Sequence, residues 1–229
     1  MAVEDRVIVA LDVDHLVPAV HLVSALKEHF STFKVGMELF HAEGPELFRV
    51  LDSVGARRIF YDGKLHDIDT TVAKTLRVID QCGIWMTNIH ATMGLPSLWA
   101  ARKAVENTLL IGMTVLSNTP ADVQYECETL ADRSVKAHLD GMVVPASCIQ
   151  HIRQTFGTYP IIVTPGIRLP GDAVDEHKQK MTPGQALAAG ANYVVIGRTL
   201  TRHPLGSDEW HAAIQGINDD IRFSGGESC

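Results

Sequence analysis

Residues 7–12 read Val-Ile-Val-Ala-Leu-Asp, an unbroken apolar run closed by a carboxylate. A short apolar run without polar alternation suits a strand covered on both faces, as in a parallel sheet. The same kind of run recurs at 33–37, 58–61, 84–89, 109–116, 142–144, 160–163 and 193–196. Between successive runs there is room for one helix and two loops. Leu16, Val20, Val23, Leu26 and Phe30 form one stripe of helical period, and 45–54, 71–81, 97–107, 121–139, 147–156, 183–189 and 209–223 read likewise. Several glycines follow these helices, where the chain must reverse through left-handed backbone. Eight such units without a linker predict an α/β chain folded as a single (β/α)₈ barrel over 1–229, with residues 224–229 expected to fray. An open doubly wound sheet is the rival. Eight units is a high count for it, and Leu11-Asp12-Val13-Asp14 lacks the glycines of a dinucleotide-binding turn.

Composition narrows the function. Of the 229 residues, 46% are hydrophobic and 21% charged, which excludes a disordered chain. Twenty basic residues against 27 acidic ones give a net charge of −7, which argues against a nucleic-acid partner. An anionic ligand must then be held by local donors. No apolar stretch is long enough to span a membrane, and the run at 7–11 is too short for a signal peptide. Cys82, Cys127, Cys148 and Cys229 show no metal-binding or disulfide spacing and read as reduced thiols. A cytoplasmic protein is expected.

In such a barrel the chemistry lies where the strands end. The residues there are Asp12 after the first run, Lys34 within the second, Asp62-Gly63-Lys64-Leu65-His66-Asp67 after the third and Asn88-Ile89-His90 closing the fourth. Thr114 to Asn118 close the fifth, Thr164-Pro165-Gly166-Ile167-Arg168 follow the seventh and Gly197-Arg198 the eighth. Charges abutting core strands are costly unless paired, so lysines and carboxylates converging on one rim imply an interleaved network. Gly197-Arg198 and Gly166-Ile167-Arg168 pair close backbone approach with a guanidinium, a combination suited to phosphate. The polar stretch 169–180, which carries His177 and Lys178, is long for a barrel loop and suggests a lid. No histidine pair has metal-ligand spacing, so no metal is expected.

These residues carry a resemblance. From Arg6 to about Arg222 the chain resembles the orotidine 5′-phosphate decarboxylases of bacterial type. The matching pieces are Val9-Ala10-Leu11-Asp12, Phe33-Lys34-Val35-Gly36, Asp62 through Ile68 with Thr71, Thr164 through Arg168, Met181-Thr182-Pro183 and Val195-Ile196-Gly197-Arg198. The resemblance implies a homodimeric lyase of pyrimidine biosynthesis. It would convert orotidine 5′-monophosphate to UMP and CO₂ with no cofactor and no metal. It assigns Lys34, Asp62, Lys64 and Asp67 to a charged tetrad in which Lys64 protonates the C6 carbanion. Asp67 and Thr71 are expected in the partner's site, Asp12 against the ribose and Ser117 against the pyrimidine. Arg168, Gly197 and Arg198 are expected against the phosphate.

Three positions depart from the family. His177 stands where a lid glutamine is usual, Gln179 where a basic residue is usual, and Asp69 where proline is common. The alternatives are a magnesium-dependent sugar-phosphate decarboxylase or aldolase on the same barrel, or a non-catalytic nucleotide-binding barrel. Relatives of the first kind carry an acidic residue where this chain has Lys34.

Overall fold

The structure is a computed structural model that describes residues 5–116, 123–170 and 181–224. Eight parallel strands close a barrel in sequence order: β1 (Val7–Leu11), β2 (Thr32–Val35), β3 (Arg58–Leu65), β4 (Met86–His90), β5 (Leu109–Met113), β6 (Gly141–Val143), β7 (Ile161–Thr164) and β8 (Tyr193–Ile196). Around it lie α1 (Leu16–Leu26), α2 (Met37–Glu43), α3 (Glu46–Ser53), α4 (Asp69–Gln81), α5 (Leu95–Arg102), α6 (Gln124–Lys136), α7 (Ile149–Phe156), α8 (Pro183–Ala188), α9 (Arg198–Thr201) and α10 (Asp208–Ser224).

The unbroken apolar runs have a simple cause. Alternate residues of each strand serve two separate cores. In β1, Ile8 and Ala10 point into the barrel, whereas Val7, Val9 and Leu11 pack against the helices. In β2, Phe33 and Val35 take the outer layer, which leaves Lys34 aimed inward, level with Ala10 and Phe60. The inner core ends at the N-terminal face in a ring contact between Trp85 and Tyr193. Arg58 lies 4.8 Å above Trp85 and pairs with Asp5 at 2.8 Å. Polar side chains gather at the opposite face.

Several sequence expectations are corrected. The run at 33–37 ends as strand at Val35, and Met37 opens α2. Methionine is apolar in either setting, so hydropathy alone does not mark the boundary. The single turn α9 is too short to show a helical period. The fifth run stops as strand at Met113, and α6 begins at Gln124. Ser224, assigned to the fraying tail, is the last residue of α10. The third run falls short in the other direction, because β3 continues through Asp62, Gly63, Lys64 and Leu65. There four residues of β3, counted from Tyr61 to Leu65, advance against only two of β4, from Thr87 to Ile89. Two residues are therefore extruded from the ladder as a bulge.

Candidate active site

The bulge in β3 sets the site. Tyr61 packs outward against Phe40 and Phe48, with ring centroids 4.6 and 5.6 Å away. A Cβ on Gly63 would lie 2.6 Å from the Tyr61 ring, so only glycine lets the chain fold back over it. Lys64 follows with φ of 47°, left-handed backbone that is rare for a residue with a side chain. Its N–H donates to Asn88 Oδ1 at 2.7 Å, in place of a ladder carbonyl.

Asp62 is the hub. Its side chain is 13% exposed, and Oδ2 lies 2.8 Å from Lys64 Nζ and 3.5 Å from Lys34 Nζ. Its other oxygen, Oδ1, accepts from Asn88 Nδ2 at 2.7 Å. Lys34 Nζ also donates to Asp12 Oδ1 at 3.1 Å, and its side chain is 11% exposed. Burial by itself would neutralise these groups. At Asp62 burial opposes the charge, but Lys34, Lys64 and the Asn88 amide outweigh it and hold the carboxyl below its usual range. At Lys34 burial is likewise outweighed, by Asp62 and Asp12, and the ammonium sits above the usual lysine value.

This array borders a cavity of about 220 Å³ open at the C-terminal face. Asp12, Lys34, Asp62, Lys64, Arg168, Gly197 and Arg198 all line it, with Met113, Val143, Val163 and Val195 among its apolar wall. Four cations against two carboxylates give the cavity a local positive surplus in a chain of net charge −7. Fields of that sign favour anions. Residues scattered from Asp12 to Arg198 thus meet because each lies in the C-terminal half of a strand, or follows one, at the same rim.

Two expected residues do not line this cavity. Asp67, just before α4, and Thr71, in its first turn, are exposed, and Asp67 Oδ1 accepts the Ile68 N–H at 2.7 Å. Ile68, between them, is 67% exposed. Ser117 and His177 lie outside the described residues, as does most of the expected lid at 169–180. The sequence reading places Asn88 at the rim but gives it no role. Its signal is an amide inside an apolar strand, directly across from the charged string. At the same rim the His66 and His90 rings meet edge to face at 5.4 Å, and burial, His66 and Lys64 lower the His90 pKa.

Fold and site together define a class: (β/α)₈ barrels that carry a lysine–carboxylate array on the C-terminal rim. The family model "Orotidine 5′-phosphate decarboxylase / HUMPS family" matches residues 5–213, and the chain belongs to that family. Among curated relatives, the orotidine 5′-phosphate decarboxylase of Moorella thermoacetica is 37% identical, over 89% of this chain and 88% of its own length. That of Shewanella sediminis is 39% identical, over 96% and 98%. The crystal structure of orotidine 5′-phosphate decarboxylase from Lactobacillus acidophilus superposes with a TM-score of 0.79 at 26% identity, covering 95% of this chain and 99% of that one.

Proposed function

We propose that this chain decarboxylates orotidine 5′-monophosphate to UMP and CO₂, the last step of de novo UMP synthesis, without cofactor or metal. The observation that carries the reading is the pair of ammoniums, Lys34 and Lys64, sharing Asp62 Oδ2 at the floor of the cavity, with Arg168 and Arg198 also on its wall. Family membership supports it.

The chemistry asks for this arrangement. Breaking the bond from C6 to its carboxylate releases CO₂ and leaves the electron pair on C6, with no adjacent carbonyl to delocalise it. A cation aimed at C6 is the direct stabiliser of that charge. Lys64 supplies it, and its Nζ proton then passes to C6 to give UMP. The neutral amine regains a proton from solvent. Asp62 holds the Lys64 ammonium in place, and Lys34 offsets the negative charge of Asp62. Arg168, Gly197 and Arg198 hold the phosphate and Asp12 the ribose. Phosphate binding far from C6 can organise the charged array, and so raises turnover as well as affinity. Asp67 and Thr71, exposed on one chain, complete the site of a second copy in a homodimer. By the resemblance to the family, Ser117 is assigned to the pyrimidine and His177 to substrate binding.

The test is the absorbance change when purified protein meets orotidine 5′-monophosphate, with and without EDTA. Turnover unaffected by EDTA is expected. EDTA-sensitive turnover would favour the sugar-phosphate alternative, and UMP binding without turnover the non-catalytic one.

A further inference from the structure

We infer that Asn88 is a positioning residue that plugs the bulge of β3 and thereby aims the Lys64 ammonium; the inference rests on the proposed reaction.

The geometry is specific. Across Tyr61–Leu65 the β3–β4 ladder skips, so the backbone of Lys64 has no ladder partner there. Asn88 is the β4 residue opposite the gap, between Thr87 and Ile89, and it is fully buried. Its amide fills both vacancies at once: Oδ1 takes the Lys64 N–H and Nδ2 the Asp62 Oδ1, each at 2.7 Å. Only one orientation of the amide works. Turned over, its NH₂ would face the Lys64 N–H and its oxygen the carboxylate, two repulsive contacts.

Two consequences follow for Lys64. Its left-handed backbone, φ 47°, is held by a bond to a buried side chain. The Asp62 carboxylate is pinned through Oδ1, so that Oδ2 alone faces the two ammoniums. One amide thus fixes both the root of the Lys64 side chain and the anchor of its tip. Displacing a reacting group by about 1 Å can lower turnover on the order of 10²-fold.

Two variants separate positioning from simple packing. Asn88→Ala removes both bonds. Asn88→Asp keeps the shape, and its effect depends on protonation. The charged groups around it are Asp62 and Lys64 on β3 and Lys34 on β2 behind Asp62. Its register partner on β5 is the apolar Ile111, and His90 follows two residues along β4. A second carboxylate against Asp62 raises its own pKa. Below that pKa the neutral carboxyl donates to Asp62 and accepts from Lys64 N–H, as the amide does. Above it, two anions repel.

The expected results are a kcat for orotidine 5′-monophosphate lowered on the order of 10²-fold in Asn88→Ala, with KM changed much less. Asn88→Asp should approach wild-type kcat at low pH and fall away as pH rises, a limb that wild type lacks. In parallel, amide hydrogen exchange at Lys64, followed by NMR, should quicken at least tenfold in Asn88→Ala. An Asn88→Ala kcat within about threefold of wild type, an Asn88→Asp profile parallel to wild type, or unchanged Lys64 exchange overturns the inference. The exchange measurement needs no turnover. If wild-type protein proves inactive on this substrate, the proposed reaction fails while Lys64 exchange still decides whether Asn88 holds that backbone.

Discussion

Replacing Asp62 by Asn tests the charged array most directly. The substitution preserves shape and removes one charge. With Oδ2 at 2.8 and 3.5 Å from two ammoniums, and an effective dielectric of about 20, each Coulomb attraction is on the order of 5 kcal/mol. Desolvation of three buried charges offsets much of this. What remains on deleting one partner of a buried pair is about 3–5 kcal/mol. The new amide makes matters worse: either orientation sets an NH₂ against Asn88 Nδ2 or against the lysines. At roughly 2–4 °C per kcal/mol for a chain of this size, the melting temperature should drop by about 6–20 °C at pH 7. The pH dependence adds a second check. Asp62 has a depressed folded pKa, so its contribution is complete above the unfolded value of about 3.9 and disappears as pH falls through the lower folded value. Lys34 has a raised one, so its contribution is complete below about 10.4 and disappears as pH rises through the higher folded value. The deficit of Asp62→Asn should therefore be flat from about pH 5 to 9 and shrink outside that window. Thermal unfolding of both proteins across pH measures it. A deficit below about 1 kcal/mol at pH 7, or one that is undiminished well below pH 3.9, would refute the claim that the lysines are held by this carboxylate.

Lys64→Ala should leave the barrel folded, by circular dichroism, and retain less than about a hundredth of wild-type decarboxylation, since positioned acid–base groups contribute on the order of 10²–10⁴-fold. Mixing unfolded Lys64→Ala and Asp67→Ala chains and refolding them together should restore activity, because a mixed dimer has one site free of both lesions; no recovery, while wild type survives the treatment, would show that sites are not shared. Arg198→Ala should lower kcat/KM for orotidine 5′-monophosphate by at least about tenfold, the equivalent of one charged phosphate contact, and barely alter the slower turnover of orotidine. Equal losses on both substrates would make Arg198 a structural residue.

The barrel was legible because each strand is apolar on both faces, a requirement that leaves long unbroken runs such as 7–11. Most of the rim was legible for the complementary reason: Lys34 between Phe33 and Val35 has no cheap place to go except a paired site. Strand ends were harder. Met37 opens a helix with a residue that a strand would accept equally well, and Asp62 to Leu65 remain in β3 although charge and glycine read as a turn. The role of Asn88 escaped because an amide in an apolar strand marks a polar site without saying what it bonds until its partners across the ladder are known. The interaction of Cys127 with Cys148 escaped for the same reason. Twenty-one residues apart in sequence, the two buried thiols are coupled in the fold, which pushes Cys127 up and brings Cys148 down.

The bulge in β3 also bears on how such a barrel acquires new reactions. Barrel closure fixes the register of every strand against its neighbours, so an insertion in a regular strand would misalign half the wall. The two extruded residues of β3 are a length of slack that the ladder resumes beyond, at Leu65 opposite Ile89. Apart from Gly63, whose place only glycine can take, side chains within the slack can be exchanged while the staves on either side keep their alignment. One loop of surplus chain therefore separates the evolution of the reactive groups from the evolution of the vessel that holds them.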